Sequence, residues 1–171
     1  AERNYSTLEE ILGVAKERGE APFLVICDGV EDPGNLGAII RSAECLGAHG
    51  VVIPKRRAVG LSATVAKASA GAIEYMRVAR VTNLSQAIEE LKEKGVWIYG
   101  TDMGGTPYDT VDFRGAVALV LGSEGSGMSR LVGEHCDFTL SIPMRGHVDS
   151  MNVSAAGAVL MAEVARQRRS I

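Results

Sequence analysis

Cysteine is scarce in this chain, three residues in 171, and Cys27, Cys45 and Cys136 stand far apart. No Cys-x-x-Cys pair or histidine array accompanies them, which argues against a zinc pattern and a disulfide framework. Buried free thiols are the expectation, with no metal. Apolar runs long enough to cross a bilayer are missing as well. The opening AERNYSTLEE has neither the basic start nor the apolar stretch of a signal peptide, so the expectation is a soluble, cytoplasmic protein with no membrane partner. Positive charge is in deficit, 18 Lys and Arg against 21 Asp and Glu for a net charge of -3. That balance argues against a domain that grips nucleic acid over its entire surface. Three catalytic signatures are absent too: the Walker loop, the dinucleotide fingerprint and the Gly-x-Ser-x-Gly elbow.

What is present is a chain with 46% hydrophobic residues, long enough to bury one good core and too short for two ordinary domains. Residues 1–171 are read as a single domain. Short apolar runs alternate with helix-like segments, the pattern of an α/β domain with a mostly parallel sheet and helices on both faces. Strands are expected at 23–27, 51–53, 78–81, 96–99, 116–121 and 138–142. Most are continuous apolar runs, which suits strands covered on both faces. Helices are expected at 36–46, 62–70, 84–94 and 153–168, the last carrying Val153, Ala156, Leu160 and Val164 at helical spacing.

Three segments stand out in order along this frame. The first, from Asn35 to Gly47, follows a turn made by Asp32, Pro33, Gly34 and Asn35, with Asn35 placed to cap the coming helix. On that helix Leu36, Ile39, Ile40, Ala43 and Leu46 share one side and Arg41 points nearly opposite. By itself this describes an ordinary amphipathic helix with an exposed arginine. The second, LVLGSEGSGM from Leu119, sets Gly122, Gly125 and Gly127 just past a buried strand, where open α/β sheets bind ligands. The third, IPMRGHVDSMNVSAA from Ile142, combines apolar residues with the small Ser154, Ala155, Ala156 and Gly157, which permit close approach of chain or ligand. Gly100 to Gly105 reads as a loop at the end of another strand, with Thr101 and Asp102 candidates for the wall of a pocket. His147 and Asp149 receive no role.

These three segments resemble the signature motifs of the SpoU family of RNA ribose 2'-O-methyltransferases, within the SPOUT superfamily. The resemblance runs from about Phe23 to Arg168. It implies a C-terminal deep trefoil knot, which connectivity rules alone would not suggest, and a homodimer with sites at or near the subunit interface. It implies S-adenosylmethionine as cofactor, held by Thr101, Asp102, Leu121, Gly122, Gly125, Ile142, Pro143, Met144, Met151 and Ser154. The family more often has leucine where Met151 stands, and the similar volume of methionine leaves cofactor binding intact as an expectation. The active-site set it implies is Asn35, Arg41, Glu124, Ser150 and Asn152.

The implied partner is RNA. The closest overall likeness, including PKRRAVGLSATVAKASAGA from Pro54, is to bacterial enzymes that methylate a guanosine ribose of 23S rRNA, with tRNA second. Lys55, Arg56 and Arg57 are the first candidates for backbone contact. Lys67, Arg77 and Arg80 add local basic charge, while Arg166, Arg168 and Arg169 read equally well as solvated surface charge. The N-terminal RNA-binding domain usual in the rRNA members is absent from these residues, so the expectation is a trimmed catalytic domain that keeps the cofactor and binds RNA less well. Two other classes remain: a non-catalytic RNA- or nucleotide-binding module, against which the Asn35, Arg41, Glu124 and Asn152 set speaks, and a nicotinamide oxidoreductase, which lacks its glycine fingerprint.

Overall fold

The computed structural model describes residues 4–56, 59–123 and 125–169. Strands β1 (Phe23–Asp28), β2 (Gly50–Pro54), β3 (Arg77–Val81), β4 (Trp97–Pro107), β5 (Val117–Gly122) and β6 (Phe138–Ser141) form one sheet. Their order is β3-β2-β1-β5-β4-β6 and every pairing is parallel. Helices α1 (Leu8–Glu17), α2 (Pro33–Cys45), α3 (Ala63–Ala68), α4 (Leu84–Glu93), α5 (Arg130–His135) and α6 (Val153–Arg169) cover its two faces.

The strands' alternation sorts the core into two layers. Phe23, Val25, Val51, Leu119 and Leu121 pack with Leu36, Ile39, Ile40, Leu160 and Val164 from α2 and α6. Leu24, Ile26, Val52, Ala118 and Val120 point the other way, to Ile11, Ile88, Leu91 and Val132 from α1, α4 and α5. Both faces of β1, β2 and β5 are therefore dry, which is why these strands read as continuous apolar runs rather than alternating ones.

Five helices open on a side chain that accepts an N-terminal backbone N–H: Thr7, Asp32, Ser62, Asn83 and Ser129. Each satisfies one of the donors that a helix start leaves without an internal partner. Asp32, not Asn35, caps α2, because the helix begins at Pro33 and the Asn35 N–H donates to Asp32 Oδ2 at 2.8 Å. Helices α1 and α5 were not anticipated. The segment 100–105, expected as a loop, instead continues β4, with a register shift between Thr101 and Thr106 where it pairs with β6.

At the amino edge of the sheet the chain closes on itself. The Arg168 guanidinium donates to the carbonyls of Ala21 (2.5 Å), Pro22 (3.2 Å) and Gly115 (2.7 Å) and lies 5.4 Å from the Phe23 ring centroid. Its Nε is buried with no partner among the described residues. Arg168 is thus half-buried and committed to the backbone rather than free on the surface for phosphate. Beside it, buried His49 accepts the Phe23 N–H at Nδ1 (2.9 Å) and meets Glu20 Oε1 at Nε2 (3.0 Å). Burial pushes the imidazole pKa below its ordinary 6.5, Glu20 opposing and Arg168 and Arg18 reinforcing.

Candidate active site

The carboxyl edge of the sheet is open and holds two clefts. Strand β1 lies between β2 and β5, so successive crossovers leave in opposite directions and a crevice forms at that switch point. The loop after β5 divides the crevice. Backbone bonds pair Ser123 and Gly127 in both directions, at 3.1 and 2.9 Å, while Gly125 and Gly127 take φ of 86° and 68°, which favour glycine. A Cβ on Gly122 would stand 2.2 Å from the Met128 nitrogen, so the returning chain requires glycine there. Asp28, at the end of β1, fixes the far side of the loop by accepting the Ser129 N–H at 2.6 Å.

The first cleft, about 960 Å³, lies over the ends of β4, β5 and β6. It gathers Thr101, Asp102, Leu121, Gly122, Gly125, Ile142, Pro143, Met144 and Met151, nine of the ten residues expected around a cofactor. The tenth, Ser154, does not line it, because its N–H and hydroxyl both engage Asn152 Oδ1, at 2.9 and 2.5 Å. Thr101 is partly committed, its hydroxyl donating to the Val120 carbonyl at 3.1 Å. Leu140, Val153 and Leu160 add apolar floor, and Ser123, Ser126, Ser141 and Asp149 add polar rim. Sequence reasoning had passed over most of these, although their position past strand ends is a signal in itself. His147 is exposed and outside this lining.

The third segment supplies one wall and the start of α6 together. Asn152 Oδ1 accepts the N–H groups of Ser154 and Ala155, at 2.9 and 3.1 Å, and so caps α6. Five residues on, Gly157 is buried against Leu121 of β5, where an added Cβ would approach Leu121 Cδ1 to 2.7 Å. Close packing of α6 on β5 therefore places Asn152 beside the loop after β5.

The second cleft, about 700 Å³, lies over the ends of β1, β2 and β3. It shares Ser123, Ser126, Gly127 and Val153 with the first cleft and adds Asp28, Glu31, Asn35, Arg56 and Asn83. Asn152 Nδ2 donates to Asn35 Oδ1 at 3.0 Å, so a single hydrogen bond joins a residue of one cleft to a residue of the other. Ser150 and Asn152 line the first cleft and Asn35 the second, whereas Arg41 is exposed on α2 and lines neither. Glu124 and Arg57 lie outside the described residues. Lys55 and Arg56 are both exposed, and only Arg56 reaches the cleft lining.

The thiols take no part. Burial, with Asp28 adjacent, pushes Cys27 up to about 12, and burial with Asp137 adjacent pushes Cys136 up to about 11, so both stay protonated. Cys45 is exposed, contrary to the expectation of three buried thiols. Among the described residues no group of three or more potential metal ligands occurs, and no helix is long and apolar enough to cross a membrane.

Comparison with known proteins places this geometry. Over 168 residues the chain is 53% identical to YacO of Bacillus subtilis (strain 168), described as a TrmH family tRNA/rRNA methyltransferase, spanning 98% of this chain and 68% of that one. The SpoU methyltransferase AviRb of Streptomyces viridochromogenes, solved in complex with AdoMet, superposes with a TM-score of 0.88 at 29% identity, covering 99% of this chain and 68% of its own. An AdoMet-bound rRNA methyltransferase of Sinorhizobium meliloti superposes with a TM-score of 0.85 at 30% identity, over 96% of this chain and 62% of that one. The chain thus spans roughly two thirds of the length of these relatives. The family model for SpoU rRNA methylases matches residues 22–162, from the start of β1 into α6, and the chain belongs to the SpoU rRNA methylase family.

Proposed function

We propose that this chain transfers a methyl group from S-adenosylmethionine to the ribose 2'-hydroxyl of a nucleotide in RNA, a guanosine of 23S rRNA first and a tRNA nucleotide second. The observation that carries the reading is the Asn152–Asn35 hydrogen bond, which ties the wall of one cleft to the wall of the next across a shared loop. Family membership and the AdoMet complexes of AviRb and the S. meliloti enzyme support it.

The first cleft fits the cofactor chemically. Its volume lies in the range of about 300–1,000 Å³ usual for small-molecule sites. Leu121, Ile142, Met144 and Met151 offer apolar enclosure for an adenine, and Asp102 and Asp149 offer carboxylates for a ligand that carries positive charge. When bound, S-adenosylmethionine supplies a methyl carbon already activated by its sulfonium, which leaves alignment and proton removal to the chain. Asn35, Ser150 and Asn152 orient the acceptor ribose at the shared wall. Arg41 acts as a cation that lowers the hydroxyl pKa or holds a neighbouring phosphate oxygen, since a guanidinium pKa of about 12.5 to 13.8 makes it a poor base. The proton leaves through Glu124, phosphate or water.

Arg41 lines neither cleft of its own protomer, and this supports a homodimer in which α2 of one protomer approaches the site of the other. The trefoil knot belongs to the same reading, supported by the return of α6 from segment 142–152 onto α2 and β5. A cytoplasmic, RNA-bound life follows from the proposed substrate.

The test is transfer of labelled methyl to unmodified 23S rRNA and to unmodified tRNA, with nucleoside analysis of the product. The expected product is 2'-O-methylguanosine in 23S rRNA; label on a base, or no transfer despite both substrates binding, overturns the reading. Arg41→Lys is expected to retain transfer within about tenfold of the parent, with its pH profile unchanged. Complete inactivity of that variant with normal binding of both substrates would sink the electrostatic role.

A further inference from the structure

Resting on the methyltransferase reading, we propose that the second cleft seats the base of the target nucleotide, a guanine, with Glu31 and Asn83 reading its Watson–Crick edge and Arg56 holding its phosphate. The cleft shares its wall with the cofactor cleft, so a nucleoside seated there presents its ribose to the side from which the methyl comes. Sequence-specific recognition of RNA targets unstacked bases, whose free edges are read by hydrogen bonds.

The lining decides which base. Three carboxylates face the cleft, and two are committed: Asp28 accepts the Ser129 N–H and Asp32 accepts the Asn35 N–H. Glu31 is exposed and makes no hydrogen bond or ion pair to any described residue. A free carboxylate accepts two parallel donors, and among the four RNA bases only guanine presents two adjacent donors, N1–H and the N2 amino group, on its Watson–Crick edge. Asn83 complements it. Its Oδ1 is occupied by the Gln86 N–H at 3.1 Å, which leaves its amide NH₂ as a donor for the guanine O6. Adenine and cytosine set an acceptor beside their amino donor, facing the carboxylate with a lone pair.

Charge fixes the direction of entry. The carboxylates Asp28, Glu31 and Asp32 repel a phosphate from their side of the cleft, while Arg56 in the lining, with Lys55 exposed next to it in sequence, attracts one. The base therefore goes to the carboxylates and the phosphate to Arg56. Leu84 and Leu131 supply apolar surface for the flat faces of the ring.

The test is a titration of the isotope-labelled protein with GMP, IMP and AMP, followed by backbone amide shifts, with S-adenosylhomocysteine titrated in parallel. GMP is expected to shift the amides around Glu31 and Asn83 saturably, IMP more weakly for want of the N2 amino group, and AMP least. Glu31→Gln is expected to weaken GMP about tenfold and to leave S-adenosylhomocysteine unchanged. Equal affinity for the three nucleotides, shifts confined to the first cleft, or no saturable shift alongside normal S-adenosylhomocysteine binding would overturn the assignment while leaving the methyltransferase reading intact. Loss of S-adenosylhomocysteine binding in the unmodified protein would overturn both.

Discussion

The two edges of one parallel sheet have opposite constructions. At the amino edge the chain ties itself down around β1 and β5: Arg168 gathers three backbone carbonyls, His49 takes the first N–H of β1, and Gln167 accepts the Phe113 N–H at 2.6 Å while donating to the Val111 carbonyl at 2.8 Å. At the carboxyl edge the strands run out into loops whose side chains face two clefts. The contrast follows from parallel geometry, which points all six strand ends the same way and lets one edge specialise in holding the fold and the other in chemistry. Around β1 and β5 the polar groups of the first edge bind the protein's own backbone, whereas the second edge leaves Glu31 and Arg56 exposed in a cleft lining.

Separate losses follow if this division is real. Arg168→Ala leaves three carbonyls without their charged donor and is expected to cost about 3 kcal/mol of stability, measured by urea unfolding, with S-adenosylhomocysteine affinity unchanged while the protein is folded. Asn152→Ala removes both the α6 cap and the link to Asn35. It is expected to lower methyl transfer about 100-fold, while lost capping costs only about 1 kcal/mol of stability. Equal damage to stability and transfer by both variants would erase the distinction.

The smallest expected effect concerns pH. His49 is held neutral because burial depresses its pKa and because Nδ1 already accepts a backbone N–H, leaving no room for a second proton there. Its contribution to stability is full above the unfolded value of about 6.5 and is lost as pH falls through the lower folded value. Unfolding at pH 7 and pH 5 should therefore show a smaller acid-induced loss in His49→Gln than in the parent protein. An unchanged difference would mean that acid sensitivity arises elsewhere.

The sequence announced the carboxyl edge far better than the amino edge. Strands β1, β2 and β5 are buried runs of β-branched and leucine residues and so legible at their centres, and the glycine loop after β5 is marked by composition. Nine residues expected around the cofactor do share a cleft, brought together from β4, the end of β5 and its loop, and the segment between β6 and α6. Helices α1 and α5 escaped since one is short and the other carries only Ile11 and Ala15 as buried residues. The extension of β4 escaped because Thr101, Asp102, Gly104 and Gly105 are loop-like locally, and pairing with β6 decides their conformation. Arg168 was misjudged for a different reason: its partners lie 146 and 147 residues away, beyond the reach of any local pattern. The second cleft has the same origin, drawing on the ends of three strands and on no single motif.

The hydrogen bond between Asn35 and Asn152 spans 117 positions, so the shared wall of the two clefts exists only in the folded topology. The cleft wall that carries Asn152 depends on the packing of α6 on β5, so a methyl donor held there binds the folded chain and not the unfolded one. A ligand selective for the folded state adds RT ln(1 + [L]/Kd) to the free energy of unfolding, and donor supply thereby becomes a determinant of the fraction of molecules that stay folded.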